Sequence, residues 1–178
     1  MYFSRARLKL FDALKAVAIN PNAILLYHDT DSVIYAYREA HTNDPLLHLS
    51  GPHLGQLKDE KPEADILEYV CCGPKNYALA MQHKQTGRIY HEMKVRGLTL
   101  DYNTCERLHY EEFKKKCLAF GGEPEDTTMN IHYESTFRPN IAHGQVYSIP
   151  LSKMFRPVIR KGILGEDFKI LEFGYTKP

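Results

Sequence analysis

The sequence predicts an α+β fold built on antiparallel sheet, in which a helix packs against a β-hairpin and a small α/β lobe follows. Three observations predict this class. An amphipathic helical pattern opens the chain, short apolar runs separated by turn residues follow, and a second helical pattern lies near residue 110. The 178 residues are enough for one compact unit or two small lobes, and we expect the boundary near residue 100.

Residues 2–18 form the first predicted helix, because apolar side chains recur on one face while charged ones lie opposite. The apolar face comprises Phe3, Ala6, Leu10, Leu14 and Val17. Asn20-Pro21 then ends the helix, since proline cannot continue it.

Two apolar runs, AILLYH and VIYAY, flank the short acidic segment DTDS. Their length and composition predict two buried strands joined by a tight hairpin. Further strands are predicted at 66–72, 75–82, 88–93, 94–100 and from Ile131 onward. A helix is predicted at 104–119, with Asn103 or Thr104 as its N-cap and Gly121-Gly122 as its end.

The composition places the protein in a broad class without defining its activity. Lys and Arg number 23 against 22 Asp and Glu, so the net charge neither requires nor excludes nucleic acid. No apolar run approaches the roughly 20 residues of a membrane span, and no signal-peptide core opens the chain. We therefore expect a soluble, intracellular protein with no membrane partner. The four cysteines form no CxxC pair, which favours reduced thiols over zinc.

Asp29 and Asp31 are the strongest candidates for chemistry. They are two residues apart at the tip of the predicted hairpin, so both carboxylates are expected on one side. Two close anions repel each other, and carboxylate oxygens are the ligands that hard divalent cations prefer. Mg²⁺ held in this way, as one of a pair of ions, supports phosphoryl transfer.

The acidic turn also matches other kinds of site in part. A calcium loop of the EF-hand type is excluded, because Val33, Ile34 and Ala40 occupy positions five, six and twelve. A plain surface turn and a haloacid-dehalogenase-like phosphatase stay open as alternatives. In the phosphatase, Asp29 is the nucleophile and Asp31 its acid/base partner, but that fold needs a loop and helix after the motif.

The segment Tyr27–Ser32 (YHDTDS), with its apolar flanks and preceding helix, resembles motif C of family B DNA polymerases. Downstream, GPKNY resembles the KxY element that contacts the primer strand in that family. The segments HLGQLKDE, KVRGL and DFKILEFGY resemble the protein-primed branch, which includes organellar and viral enzymes and those of Polinton (Maverick) transposable elements.

The resemblance implies a DNA-directed DNA polymerase that transfers a nucleotide from dNTP to a primer 3′-OH. Asp31 would bind both Mg²⁺ ions (or Mn²⁺), Asp29 would support the site, and Tyr27, Thr30 and Ser32 would shape it. Residues 1–100 would be the C-terminal part of the palm and 101–178 the thumb. Primer–template DNA, dNTP and a terminal protein primer are the implied partners.

Basic side chains supply the implied DNA contacts. Lys75 and Tyr77 would hold the primer end from one face of a strand, and Lys94 and Arg96 are candidates for tracking the DNA backbone.

Motifs A and B of the family have no counterpart in the sequence, so we expect the chain alone not to extend a primer. A non-catalytic DNA-binding module is the corresponding alternative. We also expect an exposed apolar patch on the first helix and the hairpin, because their usual packing partners would be missing.

Overall fold

The structure, a computed structural model, describes residues 2–38, 44–119, 123–158, 163–164 and 170–171. The chain divides into two compact units, residues 1–65 and 66–178, so the boundary lies well before the expected position near residue 100. Helices and antiparallel sheets make the protein α+β, as predicted. Among the described residues, no helix combines the length and apolar character needed to cross a membrane.

The first unit is a helix packed on a β-hairpin. Its elements are α1 (Tyr2–Ile19), β1 (Ala23–Asp29), β2 (Ser32–Tyr37) and a 3-10 turn (Leu47–Leu49). Ala13 and Val17 of α1 are fully buried together with Leu46, and Val33 and Tyr35 of β2 pack against them. The predicted helix and hairpin are therefore both confirmed.

The apolar face of α1 differs in detail from the predicted one. Val17 is buried and Leu10 and Leu14 are half-buried, but Ala6 is exposed and Ala13 takes a core position instead. The side chains of α1 in the cluster with the hairpin are the small ones of Ala13, Ala16 and Val17.

The prediction that both hairpin strands are buried is wrong: neither β1 nor β2 contains a buried residue, and β1 is the more exposed of the two. Ile24, Leu25 and Leu26 are all exposed, and Leu26 is the extra residue of a β-bulge opposite Tyr35 and Ile34. Leu8 and Phe11 of α1 are also exposed. Apolar side chains are thus exposed on both the first helix and the hairpin, and their forming one patch stays a prediction.

The second unit combines a three-stranded sheet, short helices and a long two-stranded ribbon. Strands β3, β4 and β5 lie side by side in that order, and β4 pairs with β5 in antiparallel fashion. The long ribbon β6–β7 and the short pair β8–β9 are also antiparallel. The bounds are β3 (Ala64–Cys71), β4 (Tyr77–His83), β5 (Ile89–Lys94), α2 (Tyr102–Arg107), α3 (Tyr110–Leu118), α4 (Pro124–Thr127), β6 (Met129–Asn140), β7 (Gln145–Phe155), β8 (Ile163–Leu164) and β9 (Ile170–Leu171).

The core of this unit joins the sheet, the helices and the ribbon. Phe113 of α3 and Phe155 of β7 have ring centroids 5.4 Å apart, and Ala78, Ala80 and Ile131 share their cluster. Residues on both sides of position 100 therefore share one core.

Two predicted elements differ from the structure. The helix predicted at 104–119 is two helices, because Leu108 leaves helical geometry with its side chain fully buried and His109 starts α3 in an extended conformation. Asp101, rather than Asn103 or Thr104, caps α2 by accepting from the Thr104 amide at 2.8 Å. Gly121-Gly122 lie outside the described residues.

The separate strand predicted at 94–100 is wrong: β5 ends at Lys94, and residues 95–100 form a turn segment in which Gly97 has φ +80°. Tyr133 of β6 holds this turn by bonding both the amide and the carbonyl of Thr99 at 3.0 Å. Lys153 of β7 donates to the Gly97 carbonyl at 2.7 Å. Three backbone polar groups of the segment, the Gly97 carbonyl and the Thr99 amide and carbonyl, are thus satisfied by side chains instead of a strand partner.

A polar clasp connects α3 to β3. Tyr110 donates to Glu68 at 2.6 Å, Lys114 donates to the same carboxylate at 2.6 Å, and the His91 ring stacks on Tyr110 with centroids 4.3 Å apart. The hydrogen bond from Lys114, followed by that from Tyr110, lowers the pKa of the Glu68 carboxyl. The charged form of Glu68 is therefore favoured by folding.

Replacing Phe113 by alanine is expected to destabilise the second unit by about 3–5 kcal/mol, because the change removes a fully buried ring and leaves a cavity. Urea unfolding measures the loss. Leu118→Ala is the matched control, since Leu118 lies on the same helix and is 75% exposed. Equal effects of the two substitutions would contradict the core described above.

The Glu68 clasp predicts a pH dependence of stability. Because the folded pKa lies below the unfolded value of about 4.3, the clasp stabilises the fold above that pH and is lost as the pH falls through the folded pKa. Thermal unfolding of the wild type and Glu68→Gln should therefore differ at pH 7 and converge in acid. A difference that does not shrink as the pH falls from 7 into the acid range contradicts the assignment.

Candidate functional site

The acidic turn, residues 29–31, closes the hairpin of the first unit. Asp29 is the last residue of β1 and pairs with Ser32, the first residue of β2, so Thr30 and Asp31 form a two-residue connection. Asp29 is half-buried, whereas Thr30 and Asp31 are exposed. The strands thus present the turn at the end of the hairpin.

Hydrogen bonds fix the conformation of the acidic turn. The Asp31 amide donates to the Asp29 carbonyl at 2.5 Å, the Ser32 hydroxyl donates to the same carbonyl at 3.1 Å, and the Thr30 hydroxyl donates to the Asp29 carboxylate at 3.0 Å. Thr30 has φ +51°, a left-handed conformation that is uncommon for a β-branched residue. The hydroxyls of Thr30 and Ser32 therefore both bond to Asp29 within the turn.

Tyr27 is half-buried and lies two residues before Asp29, after the bulge, so the two share a face of the hairpin. Asp31 lies in the turn, where the alternation of a strand no longer applies. Strand alternation therefore does not place the Asp31 carboxylate on the same side as that of Asp29, and the expectation that both lie on one side for that reason is corrected.

The donor set of the acidic turn fits a magnesium ion in part. Within the part of the chain that the structure describes, no cluster of three or more histidine, cysteine or carboxylate side chains could hold a metal. Mg²⁺ typically takes one or two carboxylates and completes its shell with phosphate oxygens and water. Asp29 and Asp31 suit an ion shared with a phosphate, and they do not make a closed protein site.

The predicted DNA contacts lie together at one end of the second unit's sheet. Tyr77 is directly opposite Lys94 in the antiparallel pair β4–β5. Lys75 comes two residues before Tyr77 and Arg96 two residues after Lys94, so all four belong to the same end of the pair. We call Lys75, Tyr77, Lys94 and Arg96 the basic end. Its three cationic residues are exposed.

Lys75 is in a tight turn and not on a strand. The Asn76 amide donates to the Gly73 carbonyl at 3.1 Å, and Lys75 has φ +57°. A proline at the second position and a positive φ at the third are the features of a type II turn, in which glycine or asparagine is preferred at the third position. The expectation that Lys75 and Tyr77 point from one face of a strand is therefore corrected.

Tyr77 is a core residue, with only 8% of its surface exposed. Its ring lies 6.0 Å from that of Tyr69, and the Lys94 ammonium lies 5.7 Å from its centroid. A cation at that distance from an aromatic face is attracted to it. Tyr77 thus orients Lys94, and little of its ring is left for a ligand.

Comparison of the chain with protein-family models, with curated proteins and with solved structures finds no match.

Sequence reasoning missed the residues that hold the Lys75 turn in place. Gly73-Pro74 is a turn signal in its own right, and this signal predicts the turn that enters β4. The role of Asn76 has no local signal, because it depends on a contact with Arg156, 80 residues further along the chain.

Manganese should bind at the acidic turn if its two carboxylates share an ion. We expect Mn²⁺ to broaden the amide NMR signals of residues 28–32 selectively, and Asp29→Asn and Asp31→Asn each to weaken the effect. Asp12→Asn, which removes an exposed carboxylate from α1, is the control. Broadening that survives both turn substitutions would exclude this site.

Proposed function

We propose that the chain is part of a DNA-directed DNA polymerase of family B type. In this proposal the acidic turn supplies the carboxylates of motif C, and the basic end contacts the primer strand. The observation that carries the proposal is the acidic turn itself. Asp29, Thr30 and Asp31 close a tight antiparallel hairpin, and the motif resemblance requires the same arrangement.

Each residue of the acidic turn has a defined task in this proposal. Asp31, which is exposed, would provide the main metal-binding carboxylate, and Asp29 would support it. The Thr30 hydroxyl restrains the Asp29 carboxylate by its hydrogen bond. Mg²⁺, when bound, would neutralise charge on the phosphates of the nucleotide and the primer. The remaining ligands would come from phosphate, water or other parts of the enzyme.

The basic end would hold the backbone of the primer. Lysine and arginine side chains at phosphates position a duplex without reading its sequence. Lys75 is exposed at the third position of a tight turn, and Lys94, at the same end of the sheet, lies over the Tyr77 ring in a cation–π contact. The role of Tyr77 in this proposal is therefore to position Lys94, since its own ring is buried.

The phosphatase interpretation receives less support from the hairpin. That fold requires a loop and a helix after the DxD motif, whereas β2 begins directly after Asp31. Turnover of a phosphomonoester by the purified chain, abolished by Asp29→Asn, would reverse this preference.

DNA binding tests the proposal most directly. We expect the affinity for a primer–template duplex to fall steeply between about 50 and 200 mM salt, because phosphate contacts release counterions. Lys75→Gly should lower the affinity about fivefold, the net worth of an ordinary hydrogen bond. It should also reduce the slope of log K against log salt by about 0.9, which corresponds to one phosphate contact.

Lys75→Gly separates binding from folding, because glycine is preferred at that position of the turn and should not destabilise it. Lys115→Ala is the control, since it removes an equal charge from an exposed position on α3. The polymerase proposal fails if the folded chain does not bind the duplex at low salt, or if both variants weaken binding equally. A binding module without catalytic ancestry would bind the duplex but show no selective Mn²⁺ effect at the acidic turn.

A further inference from the structure

The turn that carries Lys75 rests on a distant segment of the same unit, residues 156–158. The Val158 amide donates to the Cys72 carbonyl at 2.8 Å. Gly73, at φ +127°, packs so closely that a Cβ on it would lie 2.0 Å from the Val158 carbonyl oxygen. Only glycine fits there, so the first residue of the turn is fixed against the segment after β7.

Asn76 fixes the other end of the turn. Its amide group donates to the Arg156 carbonyl at 3.3 Å, and its backbone carbonyl accepts from the Cys72 amide at 3.0 Å. The residue is 1% exposed, and its side-chain oxygen is buried with no hydrogen-bond partner among the described residues. Burying an unpaired polar atom costs free energy, so the side-chain oxygen of Asn76 lowers the stability of the fold.

The bracing has a consequence for Lys75. A non-glycine residue in the left-handed region costs about 1–2 kcal/mol and persists only where its surroundings enforce it. Between Gly73 and Asn76, both held by residues 156–158, the chain has little freedom to return Lys75 to an ordinary conformation. Without the contacts to residues 156–158, the turn would relax, and the Lys75 ammonium would move relative to the other residues of the basic end.

We propose that Asn76 is a positioning residue, which holds Lys75 in its left-handed turn through the Arg156 carbonyl and thereby sets the contact of Lys75 with DNA phosphate. Asn76 is buried and does not itself touch the nucleic acid. The inference rests on the proposed function, because it assigns a partner to a DNA contact of the basic end.

A double-mutant cycle on DNA binding tests the inference, using Lys75→Gly, Asn76→Ala and the double variant. Asn76→Ala is expected to lower the affinity about fivefold and the salt slope by about 0.9, as loss of the Lys75 contact does. In the Lys75→Gly background the same substitution should have no further effect, because the two residues act through one contact. A purely structural role would weaken binding equally in both backgrounds.

Asn76→Leu serves as a second variant in case alanine prevents folding. Leucine is close in size, keeps the packing and removes the buried unpaired oxygen, so the fold should be retained. The expected loss of affinity is the same as for alanine.

The possible outcomes distinguish this inference from the proposed function. If Lys75→Gly weakens binding but the Asn76 variants do not, or if their effects add, the positioning role is wrong and the DNA contact stands. If the wild type does not bind, or Lys75→Gly has no effect, both proposals fail together. Both proposals are supported if Lys75→Gly and the Asn76 variants lower the affinity and the salt slope by equal amounts, and if the double variant shows no further loss.

Discussion

Strand β4 is buried on both faces over five consecutive residues, Tyr77 to Met81, and much of the second unit depends on this burial. Ala78 and Ala80 lie in the cluster with Phe113 and Phe155, where only small side chains leave room for two rings. Tyr77, Leu79 and Met81 occupy the other face. Because a slip of one residue exchanges the two faces of a strand, a shifted β4 would bring large side chains against Phe113. The register with β5 is therefore strongly specified, and it places Tyr77 opposite Lys94.

The tight entry into β4 imposes a second constraint. The chain leaves β3, turns within a few residues and enters a buried strand, so the turn has no room for an extra residue. Pro74 suits the second position of such a turn, but the third position, which prefers glycine, carries Lys75. A non-glycine residue at positive φ costs free energy, and such residues cluster at functional sites. The same reasoning applies to Thr30 in the acidic turn, so both proposed contact regions are built on left-handed residues.

The sequence predicted best those elements that follow from local pattern. Helix α1 was expected at 2–18 and spans Tyr2–Ile19, and the hairpin was located correctly, because helical spacing and turn residues are local signals. Burial was predicted less well. Apolar strands were taken as buried, whereas β1 exposes Ile24, Leu25 and Leu26. Hydrophobic composition shows which residues prefer burial, but not whether the fold supplies a surface to cover them.

The remaining errors have the same physical origin. Leu108 interrupts the second helical pattern because its buried position overrides helix propensity, and Tyr133 and Lys153 replace a strand partner for residues 97–99. Each depends on contacts between residues far apart in the sequence. The acidic turn was located from six contiguous residues, and the candidates of the basic end were named singly. Their placement at one end of β4–β5 could not be foreseen, because it follows from the register of two strands.

Lys75 and Tyr77 belong to one short motif but differ in burial, since Lys75 lies on the surface and Tyr77 in the core. From sequence alone, the two residues looked equivalent, because alternate residues of a strand share a face. The turn breaks that equivalence, since it ends at Asn76 and leaves Lys75 exposed while Tyr77 enters the sheet. The Tyr77 ring then contacts the ammonium of Lys94, which the strand register places opposite it. The geometry of its turn places Lys75 at one end of the sheet, and Lys94 lies over an aromatic face at the same end. In the proposed function, a phosphate backbone would meet both lysines at this end, and the contact with Tyr77 would reduce the freedom that the Lys94 side chain loses on binding.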